Sequence, residues 1–418
     1  MFDRNSLEQW LSYVEGINIK TIDMGLERTE LVRQKLELKP ACPVITVAGT
    51  NGKGSVCAYL TAIYQAAGFK VGTLTSPHLL KFNERISING KPVEDELIVR
   101  AFTAIEEARG DTTLTYFEFN ALAAVWVFAD QQVDVMVLET GLGGRLDAVN
   151  VFDADCAVIT NVDLDHIEYL GDTIEKVGFE KAGIFRSGKP AICGQVPPPQ
   201  SVTQHAKDIG TNLLVLNTDF TATQQNEQWD FSCGQTHYTN LPLPALRGGY
   251  QVQNAACALA AITYLNNQLV VSEQAIAQGL SAASNPGRFQ VIAHKPTVIL
   301  DVGHNPHAAR ALAASLTQLP AVKKQVAVFS MLSDKDIDSV LSICAPLFDC
   351  WYISGLNLPR GMTTEQITQK LKTYGIKNIR SFTTVATAYQ CALSEVQEDD
   401  RIIVFGSFHT VAEILDSL

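Results

Sequence analysis

The sequence lacks the features that mark several large classes of protein. Positive charge is scarce: 32 Lys and Arg stand against 44 Asp and Glu, which gives a net charge of -12. Because of this net negative charge, we do not expect the protein to bind the phosphate backbone of nucleic acid. The most apolar windows, such as 121–129 and 255–262, are too short to span a bilayer. The first residues carry neither the basic segment nor the long apolar run of a secretion signal. We expect a protein that binds neither nucleic acid nor membrane.

Cysteine usage argues against a disulfide framework. The nine cysteines include no C-x-x-C pair, and an odd number cannot all pair within one chain. Several of them stand in apolar runs, where cysteine behaves as a small core residue. This pattern favours a reducing, cytoplasmic location.

Short apolar segments rich in β-branched residues alternate with helical patterns along most of the chain. The segments 43–48, 71–75, 133–139 and 154–160 have the character of buried strands. This alternation predicts an α/β fold with a doubly wound, mainly parallel sheet. A polar cluster follows each of these strands. Because ligands bind at the carboxyl ends of parallel strands, we expect one shared site there.

The length of 418 residues indicates two or three domains. Residues 211–247 are polar with short alternating pieces, which predicts a small antiparallel excursion. The segment 286–297 has the composition of a linker. A second αβ series follows it, so we expect a large domain over 1–290 and a smaller Rossmann-like domain over 297–418.

The strongest local signal is the run VITVAGTNGKGS, residues 44–55, which reads as a buried strand, a Gly-rich turn and a helix start. Glycines let the backbone approach phosphate, and a lysine in the turn can reach the outer phosphates. The predicted phosphate-binding residues are Gly49, Thr50, Asn51, Gly52, Lys53, Gly54 and Ser55. Gly54 stands where Ser or Thr usually holds Mg²⁺, so the metal oxygen is expected from elsewhere. A Gly-rich turn with a purely structural role is the alternative.

A run of further motifs resembles one family in order along nearly the whole chain. These motifs are GTNGKGS (49–55), SPHL (76–79), ERI (84–86), LTYFE (114–118), LETGLGGRLDAVN (138–150), DLDH (163–166), EKAGIFR (180–186), NAACALAA (254–261), PGRFQ (286–290), DVGHNPHA (301–308) and GSFHTV (406–411). The sequence is similar to the bifunctional dihydrofolate synthase/folylpolyglutamate synthase family of the Mur ligase superfamily. GTNGK alone is shared with other Mur ligases, whereas the joint run is specific.

The resemblance implies an ATP-dependent amide ligase. ATP would phosphorylate the carboxylate of dihydropteroate, or of tetrahydrofolate and its polyglutamates. The amino group of L-glutamate would attack the acyl phosphate, releasing ADP and phosphate. The large domain would hold ATP and the pterin, and the small domain glutamate. The family is typically monomeric and uses Mg²⁺, here expected as two ions.

The resemblance also implies the metal site. Ser76, Glu139 and His166 match the family's Mg²⁺ ligands, and Ser76 would supply the hydroxyl that the phosphate loop lacks. Taken alone, Ser76 is equally typical of a turn, and His166 of a helix cap or a core imidazole. Lys181 matches the family's carbamylated lysine, an N6-carboxylysine formed with CO₂. Without the motif, Lys181 reads as an ordinary helix-surface lysine.

Two further groups of residues follow from the same resemblance. Arg288, Asn254 and Asp301 match nucleotide contacts, with Arg288 catalytic alongside Lys53, Lys181 and His304. A linker salt bridge for Arg288 and an N-cap for Asn254 are the alternatives. His304 and Ser407 would serve the glutamate. The pterin would be bound by Thr21, Ile22, Asp23, Met24, Thr115, Tyr116, Phe117, Glu118, Leu146, Asp147 and Ala148. Core packing is the alternative for Phe117.

Two other functions fit parts of the pattern. One is a peptidoglycan ligase acting on a UDP-linked muramyl acid, a substrate that would favour an additional N-terminal domain for the uridine nucleotide. The phosphate loop begins by residue 49, which leaves little room for such a domain before it. A non-catalytic nucleotide-dependent binding module would need the loop but not Glu139, His166 and Lys181 together.

Overall fold

The computed structural model describes residues 3–18, 20 and 22–418. The chain divides into two compact units, Met1–Ala245 with Gln251–Ser284, and Leu246–Tyr250 with Asn285–Leu418. Thr21, one of the predicted pterin residues, lies outside the described part of the chain. Within that part, no helix has the length and apolar character needed to cross a membrane.

The first unit is built on an eight-stranded sheet in the order β4-β3-β2-β5-β1-β6-β7-β8. Its strands are β1 (Val44–Ala48), β2 (Val71–Leu74), β3 (Ile86–Ile88), β4 (Lys91–Pro92), β5 (Val135–Glu139), β6 (Cys156–Ile159), β7 (Pro190–Cys193) and β8 (Asn212–Val215). Strands β2, β5, β1, β6, β7 and β8 are parallel to one another, whereas β3 is antiparallel to both of its neighbours, β2 and β4. The predicted mainly parallel sheet is confirmed.

Helices cover both faces of this sheet, as expected for strands that are buried on both sides. They are α1 (Leu7–Ile17), α2 (Glu27–Lys35), α3 (Lys53–Ala66), α4 (Asp95–Arg109), α5 (Tyr116–Asp130), α6 (Ile167–Leu170), α7 (Ile174–Ala182), α8 (Gln200–Ile209), α9 (Gln251–Leu265) and α10 (Glu273–Ala282). Helices α3, α9 and α10 pack together, with α3 and α9 contacting the central strands. Helix α5 lies in the large apolar core with α1 and α4.

The predicted antiparallel excursion is a three-stranded sheet in the order β11-β10-β9. It consists of β9 (Phe220–Gln225), β10 (Gln228–Cys233) and β11 (Thr236–Pro242). Many of its residues are polar and exposed, whereas Trp229 and Phe231 of β10 are buried, and the small sheet contacts helices α9 and α10.

The second unit contains a six-stranded sheet in the order β12-β13-β17-β14-β15-β16. Its elements are β12 (Gln290–His294), β13 (Thr297–Asp301), α11 (Pro306–Thr317), β14 (Gln325–Phe329), α12 (Ile337–Cys344), β15 (Cys350–Ser354), α13 (Thr364–Thr373), β16 (Ile379–Phe382), α14 (Val385–Glu395), β17 (Arg401–Phe405) and α15 (Phe408–Asp416). Only β12 is antiparallel to its neighbour. Part of the segment predicted as a linker is therefore a strand of this sheet.

Candidate functional site

The phosphate loop connects β1 to α3, and two of its glycines are required by geometry. Gly49 and Gly52 have φ of +153° and +83°. A Cβ on Gly52 would lie 2.7 Å from Oδ1 of Asn254, and one on Gly49 would collide with the Thr160 side chain. Helix α3 begins at Lys53, whose Nζ donates to the Gly49 carbonyl at 3.1 Å. The loop thus has the close backbone approach and the helix N-terminus that bind phosphate.

The segment after β6 holds the phosphate loop in place. The Asn161 amide pairs with the backbone of Asn51 in both directions, at 2.9 and 3.0 Å. The Thr50 hydroxyl donates to the Asp163 carbonyl and accepts from the Asp163 N–H, each at 2.9 Å. These contacts fix the loop before any ligand binds, and sequence reasoning gave Asn161 no role.

Two of the predicted metal ligands are neighbours at the same sheet edge. Glu139 ends β5, is 3% exposed, and its Oε2 accepts from the Ser76 N–H at 3.1 Å. Its Oε1 lies 4.0 Å from Nζ of Lys53. Ser76 follows β2, the strand beside β5. The polar clusters predicted at the ends of β2, β5, β1 and β6 therefore lie along one edge of four adjacent parallel strands.

His166 starts the short helix α6 with a left-handed backbone at φ +50°. Its side chain is 37% exposed, and Nε2 lies 4.0 Å from Oδ1 of Asp165. The core-imidazole alternative for His166 is therefore wrong. Among the described residues, no cluster of three or more His, Cys, Asp or Glu side chains is arranged to hold a metal. The predicted set contains only two such side chains, Glu139 and His166, since its third donor is the Ser76 hydroxyl. The oxygen donors of Glu139 and Ser76 suit Mg²⁺, whereas the imidazole of His166 is a softer nitrogen donor.

Lys181 is buried, not exposed on a helix surface. It lies on α7 with 2% exposure. Burial, reinforced by the positive charge of Lys53, lowers the pKa of Lys181 to about 7, and the charges of Asp165 and Asp147 oppose this change. An amine with this pKa is largely neutral and nucleophilic at physiological pH. The spacing of Val177 and Lys181 at i and i+4 places both on the inner face of α7, a sequence signal for this burial.

The predicted pterin segments meet around the loop that follows β5. A Cβ on Gly141 would lie 2.8 Å from the Phe117 ring, and one on Gly143 would lie 4.0 Å from Cε of Met24. Ile22, Met24, Phe117 and Leu146 are each partly exposed. Phe117 is therefore not confined to the core, and Met24 and Phe117, which both lie beside this loop, offer apolar surface that a flat ring can use.

Four of the predicted pterin residues instead have structural roles. Thr115 and Glu118 form a capping box at the start of α5. Asp147 accepts from the backbone N–H groups of Leu142 and Val149 at 3.0 and 3.1 Å. Burial raises the pKa of Asp147 to about 7, and these hydrogen bonds oppose the rise. Ala148 belongs to the apolar core. Direct contact of these residues with a pterin stays a prediction.

Arg85 belongs to the motif ERI, and the sequence predicted no role for this residue. Its Nε donates to Nδ1 of His78 at 2.7 Å, and its guanidinium lies 5.3 Å from the Tyr116 ring centre and 5.8 Å from that of Phe82. The Thr75 N–H donates to the Arg85 carbonyl. The motif ERI thus contributes a stacked guanidinium beside the end of β2.

In the second unit, Arg288, which precedes β12, clusters with His304 and Phe408, which follow β13 and β17. The Arg288 guanidinium lies 5.2 Å from the centre of the Phe408 ring, and the centre of the His304 ring lies 6.1 Å from the centre of the same Phe408 ring. Nδ1 of His304 is 2.9 Å from the Val302 carbonyl. Ser407 caps α15 and is buried against Thr410. The predicted glutamate residues therefore lie at adjacent strand ends of this unit.

Asp301 shapes the segment that carries Arg288. Its Oδ2 accepts from the Phe289 N–H at 3.0 Å and its Oδ1 from the Gly303 N–H at 2.7 Å. Phe289 has a φ of +44°, which is unusual for a bulky residue.

Asn254 belongs to the first unit and lies inside α9, which begins at Gln251. The N-cap alternative for Asn254 is therefore wrong.

Both units match families of known proteins. Residues 47–262 match the Mur ligase middle domain, and residues 287–408 match the Mur ligase, glutamate ligase domain. The chain is 45% identical over 411 residues to the dihydrofolate synthase/folylpolyglutamate synthase of Escherichia coli, covering 98% of this chain and 95% of that protein. The protein of the same name from Haemophilus influenzae is 40% identical, with 97% and 96% covered.

Solved structures agree with these sequence matches. E. coli FolC in complex with DHPP and ADP has a TM-score of 0.94 at 45% identity, covering 98% of this chain and 97% of that one. A bifunctional folylpolyglutamate synthase/dihydrofolate synthase with Mn, AMPPNP and L-glutamate bound has a TM-score of 0.92 at 43% identity, covering 100% and 99%. The predicted α/β fold is confirmed by these likenesses.

Proposed function

The chain belongs to the dihydrofolate synthase/folylpolyglutamate synthase family of Mur ligases, and we propose that it joins L-glutamate to dihydropteroate and to reduced folates at the expense of ATP. The observation that carries this proposal is the convergence at one sheet edge of the phosphate loop, Lys53 and the buried Glu139. A related FolC binds ADP and DHPP, and another relative binds AMPPNP, Mn and L-glutamate.

The reaction has two steps that balance in atoms and charge. An oxygen of the acid's carboxylate attacks the γ-phosphorus of ATP, and ADP leaves. The glutamate nitrogen then attacks the acyl carbon, phosphate leaves, and the nitrogen loses a proton. The loop N–H groups and Lys53 bind the phosphates and stabilise the charge that develops on transfer.

Ser76, Glu139 and His166 would hold Mg²⁺. A bound divalent ion neutralises phosphate oxygens, and the residues fit it because a buried carboxylate next to a serine supplies hard oxygen donors. Glu139 lies close to Lys53 and Ser76, so the groups proposed for metal and phosphate are already adjacent. The use of two ions is part of the same proposal.

Lys181 carries a carbamate in the proposed active form. The neutral amine attacks the carbon of CO₂, an N–C bond forms, and one proton is released. The low pKa and the burial of Lys181 support this modification, since they favour the neutral nucleophile. Carbon-13 NMR with labelled bicarbonate should show a carbamate signal in the native protein and none in Lys181→Met.

The remaining residues keep the roles implied by the family. Residues 1–290 would bind ATP and the pterin, and residues 297–418 would bind glutamate through His304 and Ser407. Arg288, Asn254 and Asp301 would contact the nucleotide, with Arg288 and His304 acting in catalysis. The apolar lining of Ile22, Met24, Phe117 and Leu146 would receive the pterin. A cytoplasmic monomer is proposed.

Incubation with each acid in turn tests the activity. The protein is mixed with ATP, Mg²⁺, L-glutamate and either dihydropteroate or tetrahydrofolate, and the products are identified by mass spectrometry. Dihydropteroate and tetrahydrofolate should each gain one glutamate, with ADP released only when acid and glutamate are both present. Product from a UDP-linked muramyl acid, or ADP release without either substrate, would contradict the proposal.

A matched pair of lysines controls this assay. Lys53→Met should abolish product because it removes the phosphate-loop cation. Lys176→Met removes an exposed lysine of α7 that pairs with Asp172, and should leave product formation unchanged.

A further inference from the structure

Arg28 joins two separate segments of the first unit. It lies in the first turn of α2, and its Nη1 is 2.9 Å from Oδ2 of Asp23. Its Nη2 donates to the Asp23 carbonyl at 2.7 Å and to Oε1 of Glu118 at 2.9 Å. One guanidinium therefore ties the side chain and the backbone of a loop residue to a helix 90 residues away in sequence.

Glu118 is a rigid anchor for this guanidinium. It is 3% exposed. Its carboxylate also accepts from the Thr115 N–H at 2.7 Å and from the Thr29 hydroxyl at 3.2 Å. Helix α5, which carries it, lies in the apolar core. A buried carboxylate with these partners cannot move without losing several hydrogen bonds, so its position is set by the fold.

The other end of the connection is a segment without helix or strand. Residues 22–25 have no regular structure, and Ile22 and Met24 flank Asp23. Met24 lies against Gly143, in the same loop that contacts Phe117 through Gly141. Fixing Asp23 therefore constrains the adjacent Met24 with respect to the loop that contacts Phe117.

We propose that Arg28 is a positioning residue for the acid substrate: by linking Asp23 to Glu118 it holds the segment Ile22–Met24 in place beside the loop 141–143, which contacts Phe117 and where the pterin is proposed to bind. This inference rests on the proposed function. It assigns Arg28 no contact with substrate. Without the guanidinium the segment must be ordered by the substrate itself, and that ordering reduces affinity.

Steady-state kinetics with each substrate varied in turn tests the proposal. Arg28→Ala should raise KM for dihydropteroate by about tenfold or more, while kcat and the KM values for ATP and glutamate change by less than about threefold. Arg28→Lys should recover part of the loss, since an ammonium can bind one of the two carboxylates but not both in the same geometry.

Arg33 provides the matched control. It lies on the same helix, makes a bidentate ion pair with Glu30 and donates to the Leu38 carbonyl, but has no contact with Asp23 or Glu118. Arg33→Ala should leave all three KM values unchanged. If it raises KM for dihydropteroate as much as Arg28→Ala does, the effect is a general weakening of α2 and the proposal is wrong.

Two outcomes would overturn the inference directly. One is an unchanged KM for dihydropteroate in Arg28→Ala. The other is a loss of kcat with equal changes in every KM, which a structural defect would cause. Should Arg28→Ala not fold, Arg28→Lys and Glu118→Gln test the same contacts. Equilibrium dialysis with dihydropteroate separates failure of the inference from failure of the proposed function, because it requires binding but no turnover.

Discussion

Replacing Lys181 with methionine should stabilise the protein at neutral pH while it abolishes catalysis. Methionine has a similar length and fills the buried space without a charge. The pKa of Lys181 in the folded protein is about 7 because burial and Lys53 disfavour the ammonium form. In the unfolded chain the amine has its ordinary pKa of about 10.4. The folded state therefore binds this proton more weakly than the unfolded state.

The sign of the pH dependence follows from this difference. Since the pKa of Lys181 is lower in the folded state, the amine costs no stability above about pH 10.4, where it is neutral in both states. As the pH falls below this value, the folded state loses stability, and the loss is complete below about pH 7, where both states are protonated. The loss is about 2 kcal/mol at pH 9 and about 4 kcal/mol at pH 7.5, as upper estimates for a buried amine. Lys181→Met removes the titrating group and with it this loss.

Thermal unfolding in CO₂-free buffer between pH 7 and pH 10 measures the effect. The Tm of Lys181→Met should exceed that of the native protein by several degrees at pH 7.5, and the gap should shrink as the pH rises. Lys176→Met, on the same helix but exposed, should differ from the native protein by less than about 0.5 kcal/mol. A gap that is absent, or independent of pH, would refute the reasoning about Lys181.

Four further substitutions have definite expected outcomes. Gly52→Ala forces a Cβ to 2.7 Å from Asn254 at a φ of +83°, and should weaken ADP binding at least about tenfold by calorimetry. Glu139→Gln should lower kcat at least about 100-fold and weaken its dependence on Mg²⁺ concentration. Gly279→Ala brings a Cβ to 2.5 Å from the Ile63 backbone and should destabilise the fold by about 1–3 kcal/mol, whereas Gly16→Ala meets no atom within 4 Å and should stabilise α1 by up to about 1 kcal/mol in urea unfolding.

The strand ends could be predicted because they depend on local pattern. The apolar runs ending at Ala48 and Leu138 predict strands that are buried in a parallel sheet. Because parallel strands end at the same edge, the polar residues that follow them are expected to lie together there. The order β2-β5-β1-β6 could not be derived, because neighbours in this sheet are separated by tens of residues. The placement of Ser76 beside Glu139 depends on that order.

The side-chain partners were harder to predict than the elements. The carboxylate of Glu118 is occupied by Arg28, which lies 90 residues earlier. Without the family motif, Lys181 is expected at a helix surface because lysine is rarely buried, although its spacing from Val177 indicates the inner face. Strand β12 was missed because its sequence, between two prolines, has the composition of a linker.

The outermost strand β4 has a consequence for how this protein behaves at high concentration. It consists of Lys91 and Pro92 alone, both exposed. Proline has no N–H to donate to an incoming chain, and the lysine charge repels a second copy of itself. A sheet of eight strands is thereby blunted at this margin, so that crowded molecules are discouraged from joining edge to edge into fibrous aggregates.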